Sequence, residues 1–94
     1  MSGKPRPWLV VQSDAFNDTH ASVTVCMLSS TADHQPLFRV AVEPSEANGL
    51  KEGCIVMVDV VLTIARRSVD RVIGRIEDEI MITVDQALRR WLAL

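Results

Sequence analysis

The chain has no excess of positive charge, almost no cysteine or histidine and no long apolar run, and each shortage removes a class of protein. Lys and Arg number 10 against 12 Asp and Glu, a formal net charge of -2. Strong nonspecific nucleic-acid binding normally shows as a basic excess, so this balance argues against it. The two cysteines, Cys26 and Cys54, are too few and too far apart for a disulfide framework or a metal-knuckle spacing. Cys26 sits inside an apolar run and reads as a small core residue. His20 and His34 lie in polar, loop-like sequence; two histidines cannot alone make a zinc site, and a loop histidine is more often solvated than an acid or base. No metal and no cofactor is expected. No stretch approaches the roughly 20 apolar residues of a membrane span, and the amino terminus lacks the apolar segment of a signal peptide. A cytoplasmic protein without membrane contact is expected.

What is present is a chain of 94 residues, 48% of them hydrophobic. That describes one small globular domain over 1–94, near the lower end of what buries a useful core. Apolar, β-rich runs recur at Trp8 to Gln12, Ser22 to Leu28, Leu37 to Val42, Ile55 to Ile64 and Arg71 to Ile76, separated by turn-rich polar sequence. Pro44 to Asn48 with Gly49 predicts a single helical turn ending at a left-handed position. Ile80, Val84, Ala87, Leu88 and Trp91 then recur at three-and-four spacing, predicting an amphipathic helix over 78–92 with Trp91 on its buried stripe. Strands first and a helix last give a mainly β fold, an SH3-like antiparallel barrel capped by a C-terminal helix. Glu77, Asp78 and Glu79 open that helix, where negative charge complements the dipole. The positive charge clusters, with Lys4 and Arg6 at one end and Arg66, Arg67, Arg71 and Arg75 in one short stretch.

One segment carries more information than the rest. In Gly3-Lys4-Pro5-Arg6-Pro7-Trp8-Leu9-Val10-Val11, an arginine stands between two prolines just before a strand. Each proline fixes its own φ and pushes its predecessor toward extended geometry, so Lys4 and Arg6 leave the loop in a narrow range of directions. A permanently charged planar fork on a stiffened loop suits a phosphate; the bland reading is a surface salt bridge.

The run Gly3 to Asn17 resembles the signature "GKPRPxLVxQSDxFN" of the MazF/PemK group of toxin endoribonucleases from bacterial toxin-antitoxin modules. The likeness continues through Ser22 to Ser30, Pro44 to Leu50, Val72 to Ile76 and the terminal helix, so it covers nearly the whole chain in order. It implies the same barrel fold and a metal-independent, sequence-specific cleavage of single-stranded RNA that leaves a 2′,3′-cyclic phosphate and a 5′-hydroxyl. It implies a homodimer, and a cognate antitoxin that blocks the groove with an acidic, partly disordered segment. By that resemblance Arg6 falls where the family places its catalytic arginine, which stabilises charge on the scissile phosphate or acts as the acid. Ser29 matches a position usually held by threonine, with a hydroxyl on the same phosphate. Ser29, Ser30 and Thr31 are equally natural as a strand-ending turn, and Ser30 is the aligned hydroxyl if the register shifts by one.

Further RNA contacts are open to a second explanation. Lys4, next to Arg6, and Gln12, Ser13, Asp14 and Asn17, beyond the first strand, are candidates for contacting RNA; the latter four also suit an Asx-type turn, the favoured reading. Arg66 and Arg67 suit an RNA backbone or an acidic antitoxin, or a solvated turn. Phe16 and Trp8 could stack bases, with core packing or dimer contact as the simpler role. Two departures from the family pattern stand out. Relatives carry a further strand of the sort "RGDIVxVD" before the Gly-Lys-Pro-Arg-Pro loop, whose absence here predicts an unpaired edge along Trp8 to Gln12. A late start codon, a decayed relative or an edge paired with a second subunit each account for it. Relatives also carry a polar residue at the position of Val60, where Asp59 and Thr63 are the polar neighbours. The other functional classes are a CcdB-like gyrase poison, which shares the barrel and whose tryptophan-bearing tail is echoed by Trp91-Leu92-Ala93-Leu94, and a catalytically weak remnant that only binds antitoxin.

Overall fold

The computed structural model describes residues 6–30 and 37–94. Four antiparallel strands, β1 (Trp8–Val10), β2 (Ser22–Ser29), β3 (Arg39–Val42) and β4 (Cys54–Ala65), are followed by one helix, α1 (Asp78–Leu92). The sheet order is β1-β2-β4-β3, a curled half-barrel closed over by the helix. Alternation explains β4, where Cys54, Val56 and Val58 are buried and the residues between them are not. Side chains two apart along a strand share a face.

In β2 the buried set changes phase, from Val23 and Val25 to Cys26 and Leu28. At the same point the β2–β4 register jumps: Cys26 faces Val61, while Met27 faces Met57. Three residues of β4, Val58 to Asp59 to Val60, therefore lie without β2 partners, and such an irregularity bends and twists a strand. The Val58 N–H instead donates to the Phe38 carbonyl at 2.9 Å, which turns the middle of β4 toward β3.

The helix begins at Asp78, as its periodicity predicts, and buries Val84 and Ala87 against Leu28, Val42, Val56 and Val58. Trp91 departs from the expected burial. It is 48% exposed and meets the half-buried Phe38 edge to face at 5.2 Å, because the last helical turn runs past the edge strand β3.

Arg71 to Ile76 is not a strand. Its apolar residues mimic one, but its backbone crosses the 44–49 turn and gives a single bond, Arg75 N–H to the Ala47 carbonyl at 2.8 Å. Only Ile76 of its apolar residues is buried; Val72 is 84% exposed. The crossing is close enough to require glycine on both sides. A Cβ on Gly74 would lie 2.5 Å from the Ala47 and Asn48 carbonyl oxygens, and Gly49, at φ +70, would press one against the Ile73 carbonyl. The left-handed Gly49, whose N–H donates to the Ser45 carbonyl at 3.0 Å, ends the turn as the sequence predicts.

Candidate functional site

The sequence-derived site residues fall into two groups at opposite ends of β1. At one end, Trp8 of β1 faces Met27 of β2, Leu9 faces Cys26 and Val10 faces Val25. Continuing that pairing two residues back brings Arg6 level with Ser29, the last residue of β2. Directly opposed residues of an antiparallel pair share a face, and here it is the face of Trp8 and Met27, opposite the buried Leu9 and Cys26. Arg6 is exposed, Ser29 is half-buried with a polar contact of its own, and Ser30 is exposed at the bend that follows. Lys4, His34 and Thr31 lie outside the described residues.

At the other end, beyond β1, stand Gln12, Ser13, Asp14 and Asn17. Their polar groups are spent on one another. The Gln12 side chain accepts from the Thr24 N–H at 3.0 Å and donates to Asn17 Oδ1 at 2.9 Å. Asn17 Nδ2 donates to Asp14 Oδ1 at 3.0 Å, and Ser13 Oγ accepts from the Ala15 N–H at 3.2 Å. These are the Asx-type and hydroxyl turn bonds that polar turn residues make with a nearby chain.

Arg66 also has a local task. Its Nε donates to the His20 carbonyl at 2.6 Å and its Nη2 to the Phe16 carbonyl at 3.3 Å, while its N–H donates to the Ala21 carbonyl at 2.8 Å. It fastens the 13–20 loop to the end of β4. Arg67 is exposed. Arg75 and Asp14 approach to 3.8 Å with both side chains more than three-quarters exposed.

An ion pair that sequence reading missed fills the irregularity of β4. Arg39 Nη1 donates to Asp59 Oδ1 at 2.5 Å and to the Phe38 carbonyl at 3.2 Å, with side-chain exposures of 10% for Arg39 and 25% for Asp59. Only the jump in register reveals it, since twenty residues separate the partners. Burial, and then the Asp59 charge, push the Cys26 thiol up to about 11; Cys54 is raised by burial and by Glu52. Both cysteines are free and buried, and a protonated buried thiol is a poor nucleophile. Val60, where relatives of the resembled family carry a polar residue, is half-buried in the same irregular stretch. Among the described residues, no group of three or more His, Cys, Asp or Glu could hold a metal ion, and no helix is long and apolar enough to cross a membrane. A shallow groove of about 180 Å³ lies elsewhere, between β3 and α1, lined by Leu37, Arg39, Val40, Thr83, Gln86, Ala87 and Arg90.

An exposed guanidinium on a proline-stiffened segment, level with a hydroxyl on a sheet end, can bind a phosphate and stabilise charge growing on it. Known proteins share this architecture. The chain is 39% identical over 93 residues to the Mycolicibacterium smegmatis protein named "Probable endoribonuclease MazF", covering 99% of this chain and 84% of that one. It superposes on the Mycobacterium tuberculosis toxin MazF-mt6 with a TM-score of 0.82, covering 95% of this chain and 87% of that one; at 24% identity this likeness speaks to the fold alone. A mycobacterial endoribonuclease solved in complex with its cognate antitoxin is 26% identical, with a TM-score of 0.80 over all of this chain and 86% of that one. These relatives lend no support to a gyrase-directed alternative. Residues 1–92 match the family described as "PemK-like, MazF-like toxin of type II toxin-antitoxin system". The chain therefore belongs to the PemK-like, MazF-like toxins of type II toxin-antitoxin systems.

Proposed function

We propose that the chain is a sequence-specific endoribonuclease that cuts single-stranded RNA without a metal ion, acts in the cytoplasm as a homodimer and is held in check by a cognate antitoxin. Beyond family membership, the reading is supported by the β1–β2 register, which continued two residues past Trp8 and Met27 would bring Arg6 level with Ser29. In the reaction the ribose 2′-oxygen gives up its proton to a base and attacks the adjacent phosphorus. The bond from phosphorus to the 5′-oxygen breaks, and that oxygen takes a proton, leaving a 2′,3′-cyclic phosphate and a 5′-hydroxyl. Arg6 donates to the phosphate oxygens as negative charge gathers on them. The Ser29 hydroxyl adds a second donor on the same face. Such donors act most strongly on the pentacovalent species, where the charge is greatest.

The antitoxin would meet this surface with an acidic segment that folds on binding, competing with RNA for the same cations. Incubation of the protein with a long single-stranded RNA in EDTA, with end-group analysis of the fragments, tests the reaction class. Discrete fragments ending in cyclic phosphate are expected. Intact RNA, with antitoxin still bound by the protein, would leave only an antitoxin-binding role.

A further inference from the structure

Phe16 stands half out of the protein, 52% exposed, on the loop between β1 and β2. Core packing therefore does not explain it. The ring meets the exposed His20 edge to face, with centroids 6.0 Å apart and planes at 71°. Beneath this pair the loop is tied down. Arg66 bonds the carbonyls of both Phe16 and His20, Gln12 links Asn17 to the backbone of β2, and the Phe16 N–H donates to the Ser13 carbonyl at 3.0 Å. A ring on such a support has already lost much of the freedom that binding would otherwise remove.

An exposed aromatic on a fastened loop, with cations beside it, has what stacking on an unpaired nucleobase requires. Arg67 is exposed next to Arg66, and Arg75 is only loosely engaged by Asp14. Asp14 and Asp18 place negative charge on the same loop, which disfavours a bare phosphate clamp and favours contact through the face of a base. Carboxylates there can also accept from exocyclic amino groups.

We infer that Phe16 stacks on an unpaired base of the RNA substrate, several nucleotides from the scissile phosphate, and that Arg66 and Gln12 are positioning residues that hold the ring in place. The inference rests on the RNA-cleaving function proposed above. The separation follows from the fold, since β1 lies between this loop and Arg6.

The test uses the full chain and a single-stranded RNA oligonucleotide spanning a mapped cut site. Phe16→Ala and Phe16→Leu should each raise KM about tenfold, with kcat within about threefold of wild type; stacking on one base is worth about 1–3 kcal/mol. Phe16→Trp should keep the wild-type KM, and its fluorescence should be quenched by the same oligonucleotide carrying a 2′-deoxyribose at the cut. Arg66→Ala should raise KM likewise, and combining it with Phe16→Ala should add little, the non-additivity expected when one residue acts through the other. An unchanged KM in Phe16→Ala overturns the inference while the cleavage function stands. Full activity in Phe16→Leu, or loss of the dimer in Phe16→Ala by sedimentation, assigns the ring to packing or self-association and overturns it too. A wild-type protein that neither cuts nor binds the oligonucleotide overturns both this inference and the function on which it rests.

Discussion

Trp8 faces Met27 across the β1–β2 pair, and the same register continued two residues further would set Arg6 level with Ser29. The two prolines around Arg6 limit its directions, and Ser29 is fixed as the last residue of β2. A phosphate held between them would meet one planar cation and one hydroxyl from neighbouring strands. The contribution of the hydroxyl can be measured separately: Ser29→Ala should lower kcat about 100- to 1,000-fold on a mapped RNA site, the scale of losing one preorganised donor. Ser29→Thr should retain activity, because the hydroxyl remains. Equal activity in Ser29→Ala would give the role to another group, with Ser30→Ala the next variant to assay.

The Arg39–Asp59 pair predicts a stability effect. Removing one partner leaves a poorly solvated charge, so Arg39→Ala should cost about 2–3 kcal/mol in urea unfolding, somewhat below the value for a fully buried pair because both groups keep some solvent. Replacing both with apolar residues of similar size, Arg39→Met with Asp59→Leu, should cost less than either single change.

The crossing of the 44–49 turn by Gly74 gives a sharper contrast. Gly74→Ala would drive a methyl into two backbone carbonyls and should destabilise by about 2–4 kcal/mol. Gly53→Ala would make only ordinary contacts, with the Glu43 carboxylate at 3.5 Å and the Val42 carbonyl at 3.9 Å, and should stay within about 0.5 kcal/mol of wild type. Thermal or urea unfolding of the two variants side by side would decide it.

Acid should loosen the same corner. The Ser45 hydroxyl donates to Glu77 Oε2 at 2.5 Å, and Asn48 Nδ2 to Oε1 at 3.3 Å. These bonds, that from Ser45 foremost, hold the Glu77 carboxyl below its ordinary value of 4.5. A carboxylate favoured in the folded state adds stability above the ordinary value, and the contribution disappears as pH falls through the lowered one. Glu77→Gln should therefore flatten the loss of stability below about pH 4.5, and Ser45→Ala should weaken that dependence. An acid limb unchanged in both variants would show that other carboxyls control it.

Much of this was legible in the residues, for reasons that also explain what was not. The helix boundaries followed from Asp78 and Glu79 in the first turn and from the spacing of Val84 and Ala87. The placement of Asp59 and Thr63 within an apolar run marked β4 as a half-exposed strand. Arg71 to Ile76 misled because periodicity reports side chains, whereas a strand also needs a partner, and this backbone meets a turn. The candidate site divided in the same way. Arg6 stood out through its prolines, and Gln12, Ser13, Asp14 and Asn17, read as a turn beyond the first strand, make the local hydrogen bonds of one. Arg66 read as a free cation because the carbonyls it holds, on Phe16 and His20, lie 50 and 46 residues away in sequence. Side chain to backbone bonds of that range leave no pattern in composition or spacing.

The most direct measurement compares wild type with Arg6→Ala on a long single-stranded RNA in EDTA, with mapping of every new 5′ end. The account predicts discrete cuts bearing 5′-hydroxyls in the wild type and their loss, by at least about 100-fold in rate, in the variant. Equal cutting by the two proteins would contradict it, because the phosphate would then be held by something other than Arg6.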